Sequence, residues 1–107
     1  MTEQKKTRRQ MLEEFIVKKP DDAFSRYGLA LECSNTGDAA AADAHFWELT
    51  ERNPDYIPAY LMYAQMLARL SRPDDAKVVL SKGISAASKK GDDHARSEME
   101  SLLAELS

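Results

Sequence analysis

The sequence predicts an all-helical fold of antiparallel helix pairs, and three observations carry that prediction. Apolar residues recur at spacings of three and four along the chain, the period of an amphipathic helix, and strict alternation never lasts long enough to suggest a half-buried strand. Proline and glycine punctuate this pattern at helix-length intervals, at Pro20, Gly37, Pro54, Pro73 and Gly91. A shift of 34 residues brings Pro20 onto Pro54, Asp21 onto Asp55, Ala30 onto Ala64, Ala42 onto Ala76, and Leu12 onto Phe46 and then Leu80. Self-similarity at one fixed period marks stacked copies of a small helical unit.

The elements follow in order. A first helix is expected over about 5–17, with Met11, Leu12, Phe15 and Ile16 on one stripe; Pro20 ends it, because the residue before proline avoids helical dihedrals. The second spans about 22–35 and stops at Gly37, which supplies a left-handed C-terminal cap. Asp38 then caps a third, over 39–52, by accepting from free amides of its first turn. The fourth is expected to begin near Tyr56, capped by Asp55, with Pro58 tolerated in the first turn where amides lack intrahelical partners. It ends at Leu70–Ser71. The fifth opens at Pro73, a favoured position for proline, and runs to about Ser88, with Lys89–Lys90–Gly91 as the break. The sixth, over 93–106, carries Ala95, Met99, Leu102, Leu103 and Leu106 on one face.

Residue sizes fit close crossings between these helices. Only a small side chain fits where two helices approach tightly, so Ala30, Ala42, Ala64 and Ala76 are read as the contact points. Leu29, Cys33, Phe46 and Leu49 would fill one layer between them, and Tyr60, Tyr63, Leu67, Val79 and Leu80 the next.

At these residues the chain resembles the tetratricopeptide repeat (TPR) family. Leu29–Ala30, Gly37, Ala42, Phe46 and Pro54 stand at that family's spacing in a first repeat, and Tyr60, Ala64, Leu67, Ala76 and Leu80 in a second. The resemblance implies a single domain over 1–107: a half-repeat helix at 1–22, repeats at 23–56 and 57–90, and a closing helix at 91–107. Its implied architecture is a right-handed superhelix of helix hairpins. The pattern departs from the family at Arg26, where an aromatic is usual, at Gly83, where alanine is usual, and at Ala30 and Ala64, which replace glycine. Gly83 costs about 1 kcal/mol relative to alanine inside a helix, which predicts a kinked or locally loose fifth helix.

Composition narrows the function classes. The 107 residues are 43% hydrophobic and 31% charged, with a formal net charge of −3, as in an ordinary globular domain. Residues 1–20 hold six Lys or Arg against three Glu, and residues 21–107 hold nine against fifteen acids. An acidic body disfavours nucleic acid, whose binding rests on neutralising phosphates. The basic leader of Lys5, Lys6, Arg8 and Arg9 is read as a solvated end. No apolar run approaches the ~18 residues of a spanning helix, and Glu13 and Glu14 interrupt any signal-like segment. With the lone Cys33, these features point to the cytoplasm and away from membranes.

Catalytic and metal constellations are not expected. His45 and His94 stand far apart and lack zinc-ligand spacing. His45 is read as a partly exposed surface group, Trp47 as a packing residue and Cys33 as an inert core thiol. The acid pairs Asp21–Asp22, Asp74–Asp75 and Asp92–Asp93 are assigned to helix starts, where carboxylates complement the dipole. No glycine loop cradles a phosphate. The expectation is a protein that is not an enzyme and binds no cofactor or metal.

In TPR proteins the first helix of each repeat lines a concave surface that takes partner peptides. The resemblance places Phe24, Tyr27, Gly28, Leu31 and Asn35 on that surface from the second helix, and Pro58, Leu61, Met62, Gln65 and Arg69 from the fourth. The family's chaperone-binding branch grips a terminal carboxylate with Lys, Arg and Asn; here Tyr27, Leu31, Leu61 and Met62 occupy such places. The implied ligand is therefore an apolar or amphipathic segment of a protein partner, with homodimerisation through the same patch, or plain internal packing, as alternatives. Burying about 500 Å² there would contribute on the order of 12 kcal/mol gross. Against association costs of about 4–15 kcal/mol this leaves a micromolar, transient adaptor.

Overall fold

The computed structural model describes residues 5–107; the beginning of the expected half-repeat, residues 1–4, lies outside them. Every regular element among the described residues is an α-helix: α1 (Arg8–Lys18), α2 (Ala23–Asn35), α3 (Ala39–Arg52), α4 (Pro58–Arg69), α5 (Pro73–Lys90) and α6 (Asp93–Leu106). They form two compact units, one ending at Arg52 and the other spanning Asn53–Ser107. Chain neighbours pair within each: α1 with α2 and α2 with α3 in the first, α4 with α5 and α5 with α6 in the second, where α4 also touches α6.

In the first unit, α1 starts three residues later than its apolar stripe suggests, because Thr7 caps it. The Thr7 hydroxyl accepts from the Gln10 amide at 3.1 Å while the Gln10 side chain accepts from the Thr7 amide at 2.9 Å, a reciprocal box that satisfies two otherwise orphaned donors. Asp22 caps α2 by accepting from Ser25 N at 3.0 Å, and Asp38 caps α3 by accepting from Ala41 N at 3.2 Å. Gly37 turns the chain between them at φ 85°, open to glycine at no steric cost. The expected layer of Leu29, Cys33, Phe46 and Leu49 is buried, as are the crossing points Ala30 and Ala42. Arg9 of α1 reaches Asp38 at 2.8 Å, and Arg52 reaches Asp21 at 2.8 Å.

The second unit repeats the plan with differences. Asp55 does not cap α4. Pro58 has no amide to bond back along the chain, so residues 53–60 wind into tighter turns, with Tyr56 N on Asn53 O at 3.0 Å and Ala59 N on Tyr56 O at 3.2 Å. α4 consequently begins at Pro58, without a side-chain cap. Ser71 stands 34 residues after Gly37 and adopts the same left-handed turn, at φ 59°. α5 runs two residues beyond its expected end and stops at Gly91, φ 73°; Asp92 then caps α6 through Ala95 N at 3.1 Å. Asp74 and Asp75 lie in the first turn of α5 without capping it; Asp75 instead pairs with Arg72 at 2.9 Å. Ala64, Ala76, Tyr60, Tyr63, Leu67 and Leu80 are buried, whereas Val79 is only half-buried. Ile57, Ala59, Met66, Ala87 and Met99 complete the core.

Two departures from the repeat pattern acquire physical roles. α5 is unbroken through Gly83. A Cβ at Gly83 would stand 2.5 Å from both Tyr60 Cβ and Met99 Sδ, and glycine is what lets α4 and α6 approach α5 that closely. Arg26, buried at an aromatic's place, donates from its guanidinium to Pro20 O at 3.0 Å. Thirty-four residues on, the Tyr60 hydroxyl donates to Pro54 O at 2.6 Å. Each repeat thus ties its first helix to the carbonyl of the proline before it, once with arginine and once with tyrosine. The Arg26 Nε is left buried without a partner, and burial, reinforced by nearby Arg52, lowers the pKa of its guanidinium.

Candidate interaction surfaces on the first helices

The residues singled out on α2 recur at helical spacing, on the side away from buried Leu29, Ala30 and Cys33. Phe24 is 75% exposed, Tyr27 and Leu31 are half-buried and Asn35 is exposed. Gly28 lies against α1: a Cβ there would meet the Leu12 side chain at 3.8 Å. In the second unit, Pro58 and Arg69 are exposed at the two ends of α4, and Leu61, Met62 and Gln65 are half-buried between them. The two sets belong to separate units. What each offers is chemically simple: an aromatic or thioether surface with polar groups at the helix end, suited to apolar contact and lacking a constellation for bond-making chemistry.

The histidines and the cysteine sit apart from these faces. His45 is half-buried; burial, helped by the nearby Arg26 cation, holds its pKa below the usual histidine range. His94 pairs with Glu98 at 2.9 Å on an exposed face of α6. Cys33 is fully buried, and burial pushes its thiol pKa up, away from the reactive thiolate. Among the described residues, no three His, Cys, Asp or Glu side chains gather so as to hold a metal ion, and no helix is long and apolar enough to cross a membrane.

Trp47 corrects the sequence reading. It is 52% exposed rather than packed, and the repeat carries the reason: its equivalents 34 residues away are Glu13 and Ser81, both exposed. The same shift sets Met11 and Phe15 of α1 beside His45 and Leu49, inward positions of α3. In α1 they are 54% and 41% exposed, because no helix among the described residues covers that side.

Helix hairpins with small residues at every crossing, and no strand among the described residues, define a helical-repeat scaffold. No family model and no curated protein matches the chain. Solved structures do. The solution structure of a tetratricopeptide repeat domain protein from Salinibacter ruber is 36% identical, with TM-score 0.76, over 81% of this chain and 88% of that one. A crystal structure of a tetratricopeptide repeat domain protein from the same organism is 35% identical, with TM-score 0.72, over 79% and 94%. A Bordetella parapertussis protein at 20% identity shares the fold, with TM-score 0.77, over 95% and 89%. The chain belongs to the tetratricopeptide repeat family.

Proposed function

We propose that this protein is a non-catalytic adaptor that takes an apolar or amphipathic segment of a partner protein on its first-helix faces, Phe24, Tyr27 and Leu31 on α2 and Leu61 and Met62 on α4, in the cytoplasm. Family membership supports an interaction module. The observation that carries the finer reading is Phe24, a large aromatic 75% exposed in line with Tyr27 and Leu31. Rigid aromatics of this kind are the usual anchors of protein interfaces, and each offers about 150–250 Å² for burial.

The test uses amphipathic helical peptides selected from a display library on the full chain. Their affinities are titrated at low and high ionic strength against wild type, Phe24→Glu, Leu61→Glu and a form lacking residues 1–9. Apolar burial is not screened, so micromolar affinity should change little with salt, collapse in both Glu variants and survive loss of the leader. Binding that vanishes with the leader or at high salt, and ignores Phe24 and Leu61, refutes the reading and assigns the contact to the basic end.

A further inference from the structure

The outer side of α1 and the depression between α5 and α6 complement each other. On α1, Met11 and Phe15 are exposed one turn apart, while Leu12 and buried Ile16 take the side facing α2. By the 34-residue register this is the second helix of a pair, with the place of its first helix empty among the described residues. α6 presents the converse case. It packs on α5 and touches α4, and no helix among the described residues covers its other side. Between α5 and α6 lies a depression of about 480 Å³ lined by Ser81, Ile84, Glu100, Leu103, Ala104 and Ser107, with room for a phenyl ring and a methionine side chain.

Charge matches shape on the α6 side of the depression, while α5 carries Lys77, Lys82, Lys89 and Lys90 against Asp74 and Asp75. Residues 5–19 carry six Lys or Arg against two Glu, and residues 92–107 carry five acids against one arginine. Glu14 already holds Lys6 at 2.8 Å, and Arg8 lies 3.6 Å from Glu32. Lys18, exposed one turn beyond Phe15, lies on the same face of α1 as Met11. Glu100, at the edge of the depression, meets Arg96 at 3.4 Å.

We propose that α1 of one chain docks between α5 and α6 of a second copy. Met11 and Phe15 fill the depression, and the basic edge at Lys18 faces the acidic edge at Glu100. The two surfaces are different patches of one molecule, so the contact is heterologous, and an open assembly keeps one of each surface free at its ends.

Sedimentation velocity on the full chain tests this, across concentration and at low and high salt. Average mass should climb above that of the monomer as concentration rises and fall back at high salt, since the charged edges are exposed and screened. Phe15→Glu and Ala104→Glu alter exposed positions, one on each of the two docking surfaces, and each should be monomeric alone. Mixed in equal amounts, they should form a one-to-one pair and stop there, because each retains the surface the other has lost. Met11→Glu replaces Phe15→Glu if the latter melts early. A wild type that stays monomeric at every concentration, or a variant mixture that does not combine, overturns the proposal. Phe24→Glu, which tests the adaptor reading, should leave these masses unchanged.

Discussion

Gly83 and Ser71 reverse each other's lesson. Alanine at Gly83 improves helix propensity by about 1 kcal/mol, but its Cβ meets Tyr60 Cβ, which cannot move without the α4 backbone. Overpacking of this kind costs about 1–3 kcal/mol, so Gly83→Ala should lower the melting temperature even though it favours the helix. Ser71 holds φ 59°, a conformation that costs an L-residue roughly 1–2 kcal/mol. Ser71→Gly should therefore raise stability by up to about 1 kcal/mol, read as a denaturant midpoint moved upward at constant slope. His45 sets a pH dependence. Its pKa is lowered on folding, by burial first and Arg26 second, with Arg9 adding to the effect and Glu13 and Asp38 opposing it. The unfolded chain thus binds the proton more readily, and stability is lost as pH falls from about 6.5 through the folded value. Asp38 and Glu48, held low by Arg9 and Arg52, add their loss only in the carboxylate range. Urea titrations between those ranges should show a slope in wild type and a flatter one in His45→Gln.

At the scale of helices, what was legible in the sequence is what neighbouring residues decide. Asp22, Asp38 and Asp92 cap the helices they precede because a carboxylate needs only the amide three positions on. α3 and α6 have the bounds their patterns suggest. The start of α4 is misread because the turns before Pro58 wind with i to i+3 bonds instead of taking the Asp55 cap. Gly83 was opaque for another reason: the contacts that require it come from Tyr60 and Met99, on two other helices. The candidate faces were legible as positions, since period three-and-four ranks every residue around a helix. Their exposure was not, because Gly28 is met by Leu12 from α1; nor was that of Trp47, outside those faces, which is 52% exposed. α6 supplies a test at this scale. Met99 is fully buried against α5, so a chain stopped at Gly91 should aggregate or melt without cooperativity; a sharp melt and a monomeric mass would show the closing helix to be dispensable.

Across the whole molecule, interactions are dense within the two units, and the ion pairs are mostly exposed. Surface pairs are worth about 0–1 kcal/mol each, so the alanine crossings and the apolar layers carry the stability, and salt should shift melting far less than it shifts association through the charged ends. The two units carry unequal strain. The first leaves Arg26 Nε buried and unpaired, and the second holds Ser71 in a left-handed turn.

Cys33 makes the first of those units measurable by itself. The chain has one cysteine, its thiol is fully buried in the first unit, and a disulfide reagent reaches it only when the packing around it opens. Labelling is then a clock for a single unit: where closing outruns the reagent, the ratio of observed to intrinsic rate is the opening equilibrium constant. Ser71→Gly, in the other unit, should leave this clock running at its native rate if the units open independently and slow it if they open as one. Arg26→Met, which removes the unpaired buried nitrogen along with the tie to Pro20 O, should alter it directly.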